Sequence, residues 1–418
     1  MIRSRSYLLL LALMFAAPDA GAQERRVLFI GNSYTYVNDL PNTLAQLALS
    51  MGDTIIAAMS APGGYTLQQH ASYPPTLNLI ASQAWDFVVL QEQSQIPSFP
   101  MAQVQTDCYP FAAALVDSVR ASDICSEVVF YMTWGRENGD ALNCPNWPPV
   151  CTYSGMQALL RERYLQMAVD NDAFCAPVGT AWKMVRDAWP PIDLYAADGS
   201  HPSPAGTYLA ACTMYATMLR KSCIASTYSA QLDSATAATL RMVASDLVLD
   251  SLTNWNIGVN DPQAVATWSD LGGLQVAFDQ NSSGAVSHHW WFGDGDESTD
   301  ATPLHAYAAP GGYDVTYVCI DACGRTDTVA LAITVNAVSI DEGLMQKDLF
   351  TARDGVFQVI TDQAATIDVW LADGRMLARF NTTAGVPYHL PVRMHPTTIL
   401  YRATPTSGMP CAGHLMIP

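Results

Sequence analysis

Between residues 25 and 256, short apolar runs alternate with stretches of helical periodicity, and this alternation constrains the fold more than any other feature. The runs fall at residues 26–30, 54–60, 86–90 and 127–133, with a weaker one at 176–179. After the first, Leu40, Leu44, Leu47, Ala48 and Met51 repeat at helical spacing, with Asn38 or Asp39 as cap and Pro41 in the first turn. Helical patterns recur at 111–119 and 156–169, and two more, at 207–219 and 234–249, close the region. Short strands that are apolar throughout are buried on both faces. The pattern therefore predicts an α/β domain with a parallel sheet covered by helices on each side. In such sheets the site lies beyond the C-terminal strand ends.

Directly after the first run stands Gly31-Asn32-Ser33-Tyr34-Thr35, which places Ser33 in a strand-to-helix turn at that rim. A lone serine hydroxyl is a poor nucleophile at neutral pH and needs an adjacent base. Asp198-Gly199-Ser200-His201-Pro202 supplies one. Asp and His three apart on one loop can hydrogen-bond, so Asp198 would orient His201 toward Ser33. Each piece alone reads as a turn, because Gly, Asn, Ser and Asp are turn residues. Their joint occurrence, in this order on a parallel sheet, makes Ser33, Asp198 and His201 the candidate catalytic residues. An α/β-hydrolase elbow would need G-x-S-x-G, and position 35 is Thr.

With those residues in place, the region from about 25 to 220 resembles the SGNH (GDSL-like) hydrolase family. Its nucleophile block has a counterpart in Gly31-Asn32-Ser33, its glycine block in Gly63-Gly64-Tyr65-Thr66-Leu67, and its last block in Asp198 to His201. The third block, normally G-x-N-D, is Gln91-Glu92-Gln93-Ser94 here, and Asn32 replaces the usual Asp beside the serine. L-Q-E-Q-S together with G-N-S-Y-T resembles one particular branch of that superfamily. The resemblance implies a flavodoxin-like three-layer sandwich and a serine esterase that works through an acyl-enzyme. It also implies an oxyanion hole made by the backbone of Ser33 and Gly64 with the Gln93 amide. It implies no metal and no cofactor. Asn32, Trp134 and Arg136 are candidates to touch substrate, although a structural Trp and a solvated Arg explain the last two equally well. Glu92 is either a hydrogen-bond partner behind the site or a solvated carboxylate, and His70 reads as an ordinary helix or loop histidine.

After Asn256 the composition turns to Gly, Ser, Thr and aromatics, with alternating strands at 313–319 and 328–335, as in a small β-sandwich. Trp290-Trp291-Phe292-Gly293-Asp294-Gly295, then Pro303 to Tyr307, then Gly311 to Val315, resemble the Ig-like PKD domain. That likeness makes Trp290 the core aromatic and the module a spacer or an adhesive element. The tail, with strands expected at 356–360, 366–371 and 398–401, more loosely resembles the C-terminal sorting domains of the type IX secretion system. Otherwise it is one more small β module. The expected division is 1–22 export signal, 23–257 hydrolase domain, 262–336 PKD-like sandwich and 339–418 C-terminal β module.

The export signal rests on Arg3 and Arg5, a short apolar run from Tyr7 to Ala17, and Ala20-Gly21-Ala22 as a cleavage site. No later stretch is long and apolar enough to span a bilayer, so a secreted or cell-surface protein is expected. The net charge of −18 becomes −19 once Arg3, Arg5 and Asp19 are removed, and no basic run occurs. That argues against nucleic acid or anionic lipid as partners. Ten cysteines in an exported chain point to disulfides, with Cys144–Cys151 and Cys319–Cys323 as candidate local bridges. The expected partners are an ester substrate, such as an acetylated polysaccharide, and secretion machinery through the tail. A lysophospholipase or thioesterase on the same triad, and a non-catalytic surface adhesin on a hydrolase scaffold, are the alternatives.

Overall fold

The structure is a computed structural model that describes residues 24–336, 350–353, 356–359, 364–372, 374–390, 397–406 and 411–417. The expected export signal lies outside the described residues. The chain forms two compact units, one of residues 1–262 with the short segment 321–325, the other of 263–320 with 326–418.

The first unit holds five strands: β1 (Glu24–Ile30), β2 (Thr54–Ser60), β3 (Phe87–Leu90), β4 (Glu127–Tyr131) and β5 (Phe174–Ala176). Their order is β2-β1-β3-β4-β5, all parallel, which is the flavodoxin-like arrangement the sequence implies. Val27 to Ile30, Val88 to Leu90 and Val128 to Tyr131 are all buried, as strands covered on both faces must be. The edge strand β2 instead leaves Ile56 and Met59 exposed. The helix Pro204–Leu219 is the most enclosed helix, with 14 buried residues. Ser203 caps it by accepting from Gly206 N, and Pro204 occupies its first turn, where a missing N–H costs nothing.

β5 is displaced from its expected position. Phe174, Cys175 and Ala176 pair with Val129, Phe130 and Tyr131, and Val178 already begins the helix Val178–Ala188. Pro177 stands between strand and helix, where it has no N–H to give a ladder.

Cys144 and Cys151 are disulfide-bonded, as expected. Cys319 and Cys323 are not: Cys323 pairs with Cys125 within the first unit, and Cys319 is a buried free thiol. Cys319 lies on an inward position of its strand, among Val315, Tyr317 and other core residues, so its side chain points away from the turn that carries Cys323.

The second unit begins with β6 (Ala266–Gly272), β7 (Gln275–Gln280), β8 (Ser287–Trp291), β9 (Glu297–Ser298), β10 (Leu304–Ala306), β11 (Gly311–Ile320) and β12 (Thr326–Val335). These form two antiparallel sheets, β10-β7-β6 and β12-β11-β8-β9, around Trp290, Tyr317 and Phe278. The tail adds β13 (Phe350–Arg353), β14 (Val356–Val359), β15 (Ala365–Leu371), β16 (Met376–Thr382), β17 (Tyr388–Leu390), β18 (Thr397–Pro405) and β19 (Cys411–Ile417). They lie in sheets β13-β14-β17 and β16-β15-β18-β19, with Ile367, Val369 and Tyr401 in a small core.

Candidate active site

The turn after β1 is fixed from three sides. Gln91, directly after β3, accepts from Asn32 N at 2.9 Å and Thr35 Oγ1 at 3.0 Å, and donates through Nε2 to Asn32 Oδ1 at 3.0 Å. Asn32 Oδ1 also caps the helix Ser33–Tyr36 by accepting from Tyr34 N, and its Nδ2 donates to Tyr65 O at 2.9 Å. His70 donates from Nε2 to Gly31 O at 2.8 Å. Gly31 must lack a side chain, because a Cβ there would meet Thr35 Oγ1 at 2.5 Å and Gln91 Oε1 at 2.6 Å. These bonds tie the Asn32 side chain into the framework of the turn and leave one N–H of its Nδ2 uncommitted in the cleft it helps line.

Ser33 Oγ lies 2.9 Å from His201 Nε2, and His201 Nδ1 donates to Asp198 Oδ2 at 2.5 Å. Asp198 Oδ1 accepts from Ser200 N and His201 N, both at 2.9 Å, which fixes the carboxylate on its own loop. Partial burial raises the Asp198 carboxyl, but the His201 hydrogen bond and the two N–H groups outweigh it and hold it at about 2. Trp134 Nε1 donates to Ser200 O, Glu137 N donates to Gly199 O, and Tyr34 and Ser200 hydroxyls meet at 2.6 Å, so the loop is anchored along its length.

The cleft around these groups measures about 120 Å³ and is lined by Ser33, Gly64, Gln93, Ser94, Arg136 and His201 among others. Gly64 has φ +73°, a left-handed backbone that suits glycine. Neither Ser33 N nor Gly64 N donates to any described residue. Gln93 is tied to Gln95, donating to its Oε1 at 3.2 Å and accepting from its N at 2.8 Å, which leaves one amide N–H of Gln93 uncommitted.

Trp134 does not reach the cleft. Its ring is fully buried, stacked between Trp182 at 3.8 Å and Tyr34 at 4.7 Å. Tyr34 and Trp182 form a slot for the indole in the core, beneath the loop it supports. Glu92 is not a rim carboxylate either, because it is fully buried. Its Oε1 accepts from Leu67 N at 3.1 Å and Gln93 N at 2.5 Å, so one carboxyl joins the glycine loop to the Gln93 loop. Burial raises this carboxyl to about 7, against the pull of those N–H groups and of the Cys108 thiol. His70 is buried too, between Gly31 O and the Thr76 hydroxyl, and burial lowers its basicity. The support given by Gln91, His70 and Tyr34 was not read from sequence. The one available signal was the unusual density of amides in L-Q-E-Q-S.

Among the described residues, Asp294, Asp296 and His305 of the second unit could gather around a metal ion. Their atoms already bond one another, with His305 Nε2 donating to Asp294 Oδ2 at 2.7 Å and Asp296 N to Asp294 Oδ1 at 3.1 Å.

Residues 260–335 match the PKD domain family model. Among solved structures, a protein of Slackia heliotrinireducens described as an SGNH hydrolase is 31% identical, covering 47% of this chain and 100% of its own, with a TM-score of 0.40. A DUF4886-family protein of Bacteroides uniformis is 20% identical over 54% of this chain and 95% of its own, at TM-score 0.47. The PKD1 domain of the Vibrio cholerae metalloprotease PrtV is 34% identical over 18% of this chain and 99% of its own, at TM-score 0.18. Among curated proteins none matches the sequence. The first unit is thus similar to solved structures described as hydrolases, and a segment that matches the PKD domain family follows it. No helix among the described residues is long and apolar enough to cross a membrane.

Proposed function

We propose that the chain is a serine esterase that removes small acyl groups, acetyl above all, from an alcohol such as a carbohydrate hydroxyl. The observation that carries this reading is the continuous path from Ser33 Oγ through His201 to Asp198 in one open cleft. Ser33 attacks the ester carbonyl while His201 Nε2 takes its proton. The uncommitted N–H groups of Ser33 and Gly64, with the free amide N–H of Gln93, receive the oxyanion, each such donor lowering the barrier by about 3–4 kcal/mol. His201 then protonates the leaving alcohol, and water releases the acyl group by the reverse path.

The small acyl preference rests on the cleft. At about 120 Å³ it lies well below the 300–1,000 Å³ of drug-sized pockets, and polar groups dominate its lining. A lysophospholipase or long-chain thioesterase would need an apolar channel, for which nothing in this cleft speaks. Export, with the tail as a secretion address, belongs to the same proposal; the two disulfides and the PKD domain support it.

The test is a panel of acetylated xylan, pectin and peptidoglycan with p-nitrophenyl esters of rising chain length, run on wild type and Ser33→Ala. Ser33→Ala should lower turnover about 10⁶-fold while the protein stays folded. Undiminished activity in that variant removes Ser33 from the role. A preference for long chains removes the small acyl reading.

A further inference from the structure

We propose that the catalytic cleft binds esters that carry a carboxylate, and that Arg136 is the group that holds it. This inference rests on the esterase reading and names its substrate class.

Arg136 lines the same cleft as Ser33 and His201. Among the described residues its guanidinium makes no hydrogen bond, and its Nε is buried without a partner. The nearest carboxylate is Asp140, at 3.7 Å, beyond hydrogen-bond reach. Asp140 is also fully occupied. Its Oδ1 accepts from Leu142 N and Asn143 N, and its Oδ2 from Asn143 Nδ2 at 2.7 Å and Gln95 Nε2 at 2.6 Å. Asp140 therefore tempers the field of Arg136 but leaves its donors free.

The backbone that carries this cation is fixed from behind. Gly135 N donates to Gln157 Oε1, Arg136 N meets Met156 Sδ, and Glu137 N donates to Gly199 O on the acid–base loop. A planar fork of N–H donors in the cleft, ion-paired to Asp140 at 3.7 Å but with no acceptor in hydrogen-bond reach among the described residues, matches a carboxylate oxygen pair better than any neutral sugar hydroxyl. The rest of the chain argues the opposite way. At net charge −18 the protein repels anions, so a carboxylated substrate would be disfavoured unless a local cation reversed the sign. The expected substrates are thus acyl esters of acidic sugars or of other hydroxy acids, with the carboxylate a few bonds from the ester.

The experiment compares phenyl acetate with 3-carboxyphenyl acetate, a pair that differs by the carboxylate. Wild type should favour the carboxylated ester about tenfold or more in kcat/KM, mostly through KM, as expected for one charge-assisted contact. Arg136→Gln should bring that ratio to one or below, and Arg136→Lys should keep only part of it, since a point charge lacks the fork. Added salt should erode the wild-type ratio. A wild-type ratio of one or less, or a ratio unchanged in Arg136→Gln, overturns the proposal. Labelling of Ser33 by a fluorophosphonate separates the two levels of inference. A labelled enzyme without the preference loses only the carboxylate. A protein that neither labels nor hydrolyses either ester loses the esterase reading and this proposal with it.

Discussion

Each unit of the molecule contains a histidine hydrogen-bonded to an aspartate, and the two pairs differ in what surrounds them. In the first unit, His201 has Asp198 on one nitrogen and Ser33 on the other, and its side chain is 36% exposed. In the second, His305 donates to Asp294, and its ring is 10% exposed, stacked on Phe292 at 4.0 Å and met edge-on by Tyr307 at 4.5 Å. Both aspartates are held below the usual carboxylate range: burial raises each, and the histidine with neighbouring N–H groups overcomes it. The bond and the direction of its electrostatic effect are therefore the same. What separates the pair proposed as catalytic from the architectural one is the second ring nitrogen and its access to a nucleophile and solvent.

The same substitution in each pair should break the likeness. In Asp198→Asn, the amide oxygen stays with Ser200 N and His201 N, since both donate to Oδ1. The amide NH₂ then faces His201 Nδ1, which must accept, and the ring proton moves to Nε2. A protonated Nε2 cannot take the Ser33 proton. Turnover of p-nitrophenyl acetate should fall by about 1,000- to 10,000-fold with little loss of stability. A drop of less than tenfold would mean that Asp198 does not set the tautomer.

Glu92 sharpens the comparison, because it is a buried carboxyl with no histidine against it. The charged or titratable groups facing it are the Cys108 thiol and the Tyr164 hydroxyl, neither a cation, so burial wins and the carboxyl rises to about 7 from an ordinary value of about 4.5. A group raised on folding gives its full contribution below about 4.5 and loses it as the pH climbs through 7. Wild type should thus lose about 3 kcal/mol from this group between pH 4.5 and 8. Glu92→Gln keeps an oxygen for Leu67 N and Gln93 N and does not titrate. Its stability relative to wild type, followed by urea unfolding, should therefore rise by about that amount over the same range. A difference that stays flat with pH would show that Glu92 is ionised throughout.

These contrasts also mark what the sequence could tell. The parallel sheet was legible because strands buried on both faces are apolar at every position, as in Phe87-Val88-Val89-Leu90. Ser33, Asp198 and His201 stood out because a turn serine, an acid and a base fell in a fixed order on that sheet. Trp134 and Glu92 were left open between two readings for one shared reason. Both follow strand ends, where a side chain may go up to the rim or down beneath it, and only packing decides which. Trp134 goes down because Tyr34 and Trp182 form a slot for it. Glu92 goes down because Leu67 N and Gln93 N await an acceptor. The Cys125–Cys323 bridge spans 198 residues and had no local signature.

The smallest effect is expected at Asp294. Its two oxygens serve different donors, Oδ1 accepting from Asp296 N and Oδ2 from His305 Nε2. In Asp294→Asn the oxygen can stay with Asp296 N, and the NH₂ turns to His305. That ring can answer by moving its proton to Nδ1 and accepting at Nε2, the counterpart of the shift to the far nitrogen that is ruinous at His201. Here no nucleophile among the described residues depends on Nδ1, so the only loss is charge assistance in one partly buried hydrogen bond. Esterase activity should be unchanged, and stability should fall by about 1 kcal/mol, read by thermal unfolding of the full chain. If Asp294→Asn instead lowered turnover as Asp198→Asn does, the distinction between the two pairs would fail, and the second unit would have to contribute to catalysis.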